Sequence, residues 1–347
     1  MVVVLFIVVL LICVLVHEWG HFIVAKKSGM LVEEFGFGIP PRLWSFKKGE
    51  TKYSINALPI GGFVKIAGEN GQESGVPFER QFESKSWYKK SAVLLAGVCM
   101  NLVLALVLFS VAYMIGLPGV VDEGGTPTVL SVVEKSPVAL AGITTGDTIT
   151  SVFVGDTKVE DVRTESLHDA IVHSTKDVVI TYEHGGMSKQ AVITPTSERT
   201  IGVSIESLGV VRLSFFKAVM HAGTHVWSLT KSIAHAIGEL AGRVIHGAPS
   251  AQGLIGPVGL AREIGSASTF GFAYLLAFIA MISVNLAVLN VMPFPALDGG
   301  RLIVVWGEAL TGRKFSPMTI GLIHTIGFLV LIGLMVALTV GDIKKAL

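Results

Sequence analysis

The sequence is short of charge. Asp, Glu, Lys and Arg make up only 15% of its 347 residues, against about 25% in ordinary soluble domains. Its formal net charge is +1, so nothing in the charge balance attracts nucleic acid or another polyelectrolyte, and no nucleic-acid partner is expected. Cysteine is also scarce: Cys13 and Cys99 each lie in an apolar run. They fit packing roles and say little about redox compartment. The first apolar run has no basic stretch ahead of it and no A-x-A-like site behind it. Val2–Val16 therefore reads as part of a retained span rather than a cleaved leader. Apolar residues fill the space that charge leaves, at 51% of the chain and a mean hydropathy of +0.66. The expected class is a membrane protein.

Four runs are long enough to cross a hydrocarbon core of about 30 Å: Val2 to Lys27, Ala92–Ile115, Phe272–Val291 and Met318–Val340. Lys26 and Lys27 follow the first, Lys89 and Lys90 precede the second, and Arg301, Arg313 and Lys314 lie between the third and fourth. The positive-inside rule puts these three flanks in the cytoplasm. The N-terminus and the long region between spans two and three then face outward; the C-terminal lysines run against this assignment. The implied location is a bacterial inner membrane, multi-pass, with the lipid bilayer itself as a partner.

The segments between spans differ in style. Residues 28–90 carry aromatics, glycines and short alternating runs, which predict β-hairpins on the cytoplasmic side. Their apolar side chains could dip into the membrane, where irregular backbone is tolerated only against protein or a watery cavity. Residues 118–204 alternate short β-like runs with turns around one helical pattern, Thr164–Ser174. Within them SPVALAGITTGDTITSV, Ser136–Val152, resembles the signature of a bacterial PDZ domain. Such domains bind peptides by adding a strand to a sheet edge. In residues 205–270, apolar positions from Phe215 to Val244 recur every three or four residues. That predicts an amphipathic interfacial helix, followed by a Gly/Pro-rich elbow at Gly253–Gly265. The expected fold class is a mainly α-helical membrane protein of four transmembrane helices. A cytoplasmic re-entrant β-hairpin region and an extracytoplasmic mixed α/β PDZ domain complete it. The expected segments are 1–27, 28–90, 91–117, 118–204, 205–270 and 271–347.

The chemistry sits in HEWGH, His17 to His21. On a helix His17 and His21 are one turn apart and face the same way, so both imidazoles can share one Zn²⁺. Glu18 is turned about 100° away. It can reach a water at the metal's open position and act as general base. A glutamate at membrane depth costs several kcal/mol unless it is hydrated or paired, and a metal gives all three residues a common reason to be there. A third ligand must reach the same depth. In NVMPFPALDGGR, Asn290–Arg301, Asp298 is the sole carboxylate, at the cytoplasmic end of span three, where the charge argument also puts HEWGH. Pro293 and Pro295 block regular helix there, and Gly299 and Gly300 allow a tight bend. In isolation LDGG reads as an ordinary turn. His221 and His225 also stand at i,i+4, but no acidic residue lies in that turn, so they read as ordinary helix residues.

HEWGH, the GVCMN stretch (Gly97–Asn101) and NVMPFPALDGG, in this order, resemble the site-2 protease family, in its bacterial branch with a PDZ insert between spans two and three. The resemblance covers most of the chain. It implies an intramembrane zinc metalloprotease with Zn²⁺ on His17, His21 and Asp298 and with Glu18 catalytic. Asn290, Pro293 and Pro295 match positions that line the substrate cleft, and the FGFG segment looks like the family's re-entrant β-loop. Family substrates are single-pass membrane proteins, often anti-sigma factors or remnant signal peptides. Many relatives of the anti-sigma-cleaving type have two tandem PDZ domains; this chain has room for one. A non-proteolytic membrane adaptor recruiting partners through its PDZ domain is the alternative. The intact Glu18 argues against it, because a structural metal site needs no base. Metal transport would require ionisable residues through several spans, and Asn101, Asn285 and His324 are too few and too scattered.

Overall fold

The computed structural model of the chain describes residues 2–69, 71, 74–121, 125–133, 135–160, 162–172, 176–196, 200–246, 256–269 and 271–346. In chain order the elements are helix α1 (Val2–Lys27), strands β1 (Val32–Lys48) and β2 (Thr51–Ile66), and helix α2 (Trp87–Ile115). Strands β3 (Leu117–Val120) and β4 (Thr126–Val132), helix α3 (Pro137–Leu140), and strands β5 (Thr148–Val154) and β6 (Thr157–Lys158) follow. Next come helix α4 (Thr164–Val172) and strands β7 (Val178–His184), β8 (Met187–Ile193) and β9 (Val203–Val211). Helices α5 (Phe215–Ile245), α6 (Pro257–Thr269), α7 (Phe272–Val291), α8 (Asp298–Thr311) and α9 (Pro317–Ala346) end the chain. The elements form two compact units, Met1–Met114 with Ser214–Leu347, and Ile115–Leu213.

In the first unit four helices are long and apolar enough to cross a membrane: Val2–Lys27, Trp87–Ile115, Phe272–Val291 and Met318–Lys344. The chain is a multi-pass membrane protein. Helices suit these runs because each satisfies its backbone groups internally, which lipid cannot do. Helix α2 starts at Trp87, earlier than the Ala92 expected from hydropathy, so Lys89 and Lys90 lie in its first turns rather than ahead of it.

One face of α1 is buried, carrying Val9, Cys13, His17, Gly20, His21 and Ala25 at helical spacing. Its two ends enter different apolar clusters. Val9 and Cys13 pack with Ile264, Ile279 and Ile282 of α6 and α7. Ala25 packs with Met30, Val32, Ile66, Val93 and Leu302. The histidines lie between the clusters on the same stripe, so hydrophobic packing on both sides fixes the rotation of α1 that aims them inward.

Strands β1 and β2 form one ribbon that folds back on itself. Residues 34–37 pair with 52–55 on one side and with 62–65 on the other, while 44–48 pair with 51–55. The result is a small antiparallel sheet in which 62–66 is an edge. At the turn after Gly49, Glu50 accepts from Lys26 Nζ at 3.0 Å and from Arg80 at 2.6 Å. The hydrogen bonds from Arg80 and Lys26 hold its carboxyl below the usual glutamate range. They tie the ribbon to the end of α1.

The elbow expected at Gly253–Gly265 is a helix from Pro257 onward, α6, with its proline in the first turn, where its missing N–H costs nothing. Residues 253–255 lie outside the described residues. Its start is anchored by Asp342 of α9, which accepts from Gly259 N at 2.7 Å.

The second unit is an antiparallel sheet of order β3-β9-β4-β5-β7-β8, with β6 pairing β5. Its core includes Val129, Val138, Ile149, Val152, Ile180 and Ile205. Ser136 caps α3 by accepting from Ala139 N at 3.2 Å. The buried Asp147 accepts from Thr144 N and from His184 Nδ1, both at 2.8 Å.

Candidate metal centre

Three elements bring the centre together: α1 supplies His17 and His21, α8 supplies Asp298, and α2 supplies the wall behind them. The helices cross closely because the crossing residues are small. A Cβ at Gly20 would collide with the Ala96 backbone. One at Gly97 would lie 2.5 Å from His17 Cε1 and 2.5 Å from His21 Nε2, so Gly97 makes room for both imidazoles.

The tautomer of His21 follows from its neighbour. Its Nδ1 lies 2.7 Å from the Val93 carbonyl oxygen, which can only accept, so Nδ1 carries a proton and, in the neutral ring that binds a metal, Nε2 holds the lone pair. That lone pair points into the centre. His21 Nε2 lies 3.0 Å from His17 Nε2, and Asp298 Oδ2 lies 3.1 Å from His17 Nε2 and 3.3 Å from His21 Nε2. Although within ion-pair reach of both rings, the buried Oδ2 meets neither at hydrogen-bond geometry. The three atoms converge on a common point rather than on one another. A tetrahedral zinc with ligands at about 2.0–2.1 Å separates them by roughly 3.3 Å, and the observed triangle fits that face. Two histidines and a carboxylate are also a donor set that zinc accepts, with a fourth position left open. His17, His21 and Asp298 are the candidate metal-binding group.

Asp298 opens α8, where the helix dipole favours negative charge. Gly299 and Gly300 were expected to bend the chain. Instead they lie in α8, and a Cβ at either would collide with backbone carbonyls, those of Val291 and Met292 for Gly299 and that of Phe294 for Gly300. Close backbone approach, not a turn, is what requires them.

Glu18 lines a cavity of about 570 Å³ together with His21, Asp298 and the strand edge at 62–66. Gly62 packs against the Glu18 side chain, since a Cβ there would be 3.2 Å from Glu18 Cγ. Asn290, in the last turn of α7, reaches His17 with Nδ2 3.5 Å from both ring nitrogens. From the loop after α7 the cavity takes Ala296 and Leu297 as lining; Pro293 is exposed, and Pro295 packs toward α9.

Three residues beyond those expected stand at the centre. Gly97 is one. Asn101 is fully buried, with Nδ2 3.5 Å from His17 Nδ1 and an Oδ1 that has no partner. Interchanging its amide O and N, which look alike in shape, turns an acceptor toward His17 Nδ1. His324 of α9 accepts from Ala296 N at 3.0 Å. A lone polar residue within an apolar run was the available signal for Asn101 and His324.

The profile of peptidase family M50 matches residues 5–334. A Clostridium acetobutylicum protein provisionally named a zinc metalloprotease is 33% identical over 334 residues, covering 95% of this chain and 94% of that protein. The zinc metalloprotease RasP of Geobacillus kaustophilus is 28% identical over 420 aligned residues, covering 98% and 97%; that alignment is longer than this chain, so the relative has additional segments. RasP of Oceanobacillus iheyensis is 29% identical, covering 99% of each chain. The resemblance first carried by HEWGH and LDGG thus extends along nearly the whole sequence, and this chain belongs to peptidase family M50 as a zinc metalloprotease.

Proposed function

We propose that the protein hydrolyses peptide bonds in or near the transmembrane segments of single-pass membrane proteins, at the centre formed by His17, His21, Asp298 and Glu18. The observation that carries this reading is the shared cavity. His21 and Asp298 of the ligand trio, the neighbouring Glu18 and the strand edge at 62–66 all line it. Zinc bound by the trio would polarise the scissile carbonyl and acidify water. Glu18 takes a proton from the attacking water and later gives it to the leaving amine. A substrate helix hides its carbonyls in its own hydrogen bonds and must unwind. Residues 62–66 form an edge of the ribbon's sheet, and they hold the unwound segment by strand addition. Asn290 flanks the substrate beside His17. Pro293 and Pro295 keep the following stretch non-helical, leaving carbonyls unpaired at the cleft.

On this reading Lys26, Lys27, Arg313 and Lys314 face the cytoplasm and set the depth of the centre toward that side. Leu43, Trp44 and Phe46, all exposed on the ribbon, enter the membrane interface. The unit Ile115–Leu213 is an extracytoplasmic PDZ-type module that binds peptide at an open sheet edge. Substrates of the anti-sigma-factor or remnant-signal-peptide kind fit this arrangement. The test is cleavage of a single-span substrate by detergent-purified protein, with zinc content measured alongside. Chelator should abolish cleavage and added zinc should restore it; cleavage that persists in zinc-free protein would remove the proposal.

A further inference from the structure

Helix α9 is an apolar span in which His324 is the sole ionisable residue from Met318 to Gly341. An imidazole at such depth is costly unless it is hydrogen-bonded. Its partner is the backbone of the loop ahead of Asp298: Ala296 N donates to His324 Nδ1 at 3.0 Å. An amide N–H can only donate, so Nδ1 holds the lone pair and the proton is on Nε2.

The residue held in this way is itself unusual. Ala296 has φ +77, a left-handed backbone rare for any residue with a Cβ. Such a conformation persists only where the surroundings impose it. One turn along α9 and on the same face, Gly327 lets the helix touch the loop directly. A Cβ there would lie 2.5 Å from Pro295 Cβ and 2.7 Å from the Pro295 carbonyl oxygen. Two residues beyond Ala296 the chain reaches Asp298. Between them Leu297 N closes a turn onto Phe294 O at 3.2 Å, which leaves little slack.

We propose that His324, seated by the close contact at Gly327, is a positioning residue for the metal centre. It holds Ala296 in its left-handed conformation and so fixes Asp298 Oδ2 against His17 and His21. The proposal rests on the reading of Asp298 as a ligand. His324 itself does not touch the ion.

The test uses the full chain in detergent and reads metal rather than turnover. Zinc release to a chelator is timed, and the absorption spectrum of the cobalt(II)-substituted protein is recorded. His324→Phe keeps a ring but loses the acceptor. It should speed zinc release roughly 10-fold or more, as loss of a supporting hydrogen bond does at other metal sites, and alter the cobalt bands. His324→Asn returns an acceptor near the old Nδ1 and should restore release to within about 3-fold of wild type. Adding Ala296→Gly to His324→Phe should also recover part of the loss, because glycine adopts the left-handed conformation without strain. A packing defect in α9 would gain nothing from that change. Wild-type release and spectrum in His324→Phe would overturn the proposal. So would a His324→Asn variant as impaired as His324→Phe. Asp298→Asn run in parallel separates the two readings. If it releases zinc as wild type does, the ligand assignment is wrong. If it alone is impaired, only the positioning role of His324 fails.

Discussion

Two histidine pairs in this chain share one spacing and meet different ends. His17 and His21 on α1 converge with Asp298 from α8, and the far nitrogen of His21 is held by the Val93 carbonyl. His221 and His225 on α5 have the same i,i+4 register, yet among the described residues no carboxylate joins them into a metal-binding group. Their neighbours are aromatic. His225 Nδ1 lies 2.6 Å from the Tyr113 hydroxyl and its ring stacks on Phe109 at 4.5 Å; the His221 ring meets Tyr113 edge-on at 4.8 Å. Spacing places two imidazoles side by side, and that is all it does. A third donor from far along the sequence, and a proton fixed on the far nitrogen of His21, make one pair a candidate ligand set.

The sharpest break in the comparison is at Glu18, which the α5 pair has no counterpart for. Glu18→Gln should keep its zinc and lose roughly 10²- to 10⁴-fold in the rate of substrate cleavage, the usual worth of a positioned proton-transfer group. Full activity would remove the assigned base. Asp298→Asn attacks the difference itself by reducing the first pair to two histidines. Zinc affinity should fall by about 100-fold or more, since ligand loss exceeds the 10–100-fold cost of losing a supporting partner; equal metal content at limiting zinc would contradict the ligand role. Gly97→Ala leaves all three ligands in place and removes their room. A methyl 2.5 Å from His17 Cε1 and His21 Nε2 must push one ring aside, and about a 10-fold loss of zinc affinity is expected, read by competition with a chromogenic chelator.

Much of the centre was legible because its signals are local and chemically expensive. HEWGH places a glutamate and two histidines in a greasy helix, and only a common ligand explains that cost. Asp298 was reachable because charged flanks put it at the same depth as HEWGH by a separate argument. The family resemblance and the metal reading therefore held. What was less legible depends on who lies next to whom. Gly97 looks like any small residue until His17 and His21 are seen against it. Gly299 and Gly300 suggested a bend, whereas they are helical and carry neighbouring carbonyls at close range. The ribbon at 32–66 read as separate hairpins. Its double pairing, with 34–37 in the middle, is a tertiary fact that alternation of residue types does not encode. The elbow before α7 read as irregular from its glycines, yet Pro257 starts a helix because proline suits a first turn.

The smallest effect concerns the second pair and checks that it is structural. His221→Ala with His225→Ala should leave zinc content unchanged and lower thermal stability modestly, by about 1 kcal/mol for the lost Tyr113 hydrogen bond. A drop in zinc content would show that spacing alone had been underrated. The pH response gives an independent reading. Burial, and next the nearby His221 charge, hold the His225 pKa below the usual histidine value. The unfolded chain therefore binds this proton more readily than the folded one, and the stability contributed by neutral His225 is present in full above about pH 6.5. It is lost progressively as pH falls from there through the lower, folded-state pKa. Melting temperature measured in detergent from pH 7.5 down to 5 should fall more steeply for the wild type than for His225→Phe, which fills the stacking position on Phe109 and carries no proton to gain. Equal slopes would mean that the α2–α5 contact is indifferent to the charge of His225, and the aromatic packing alone would then account for where the second pair sits.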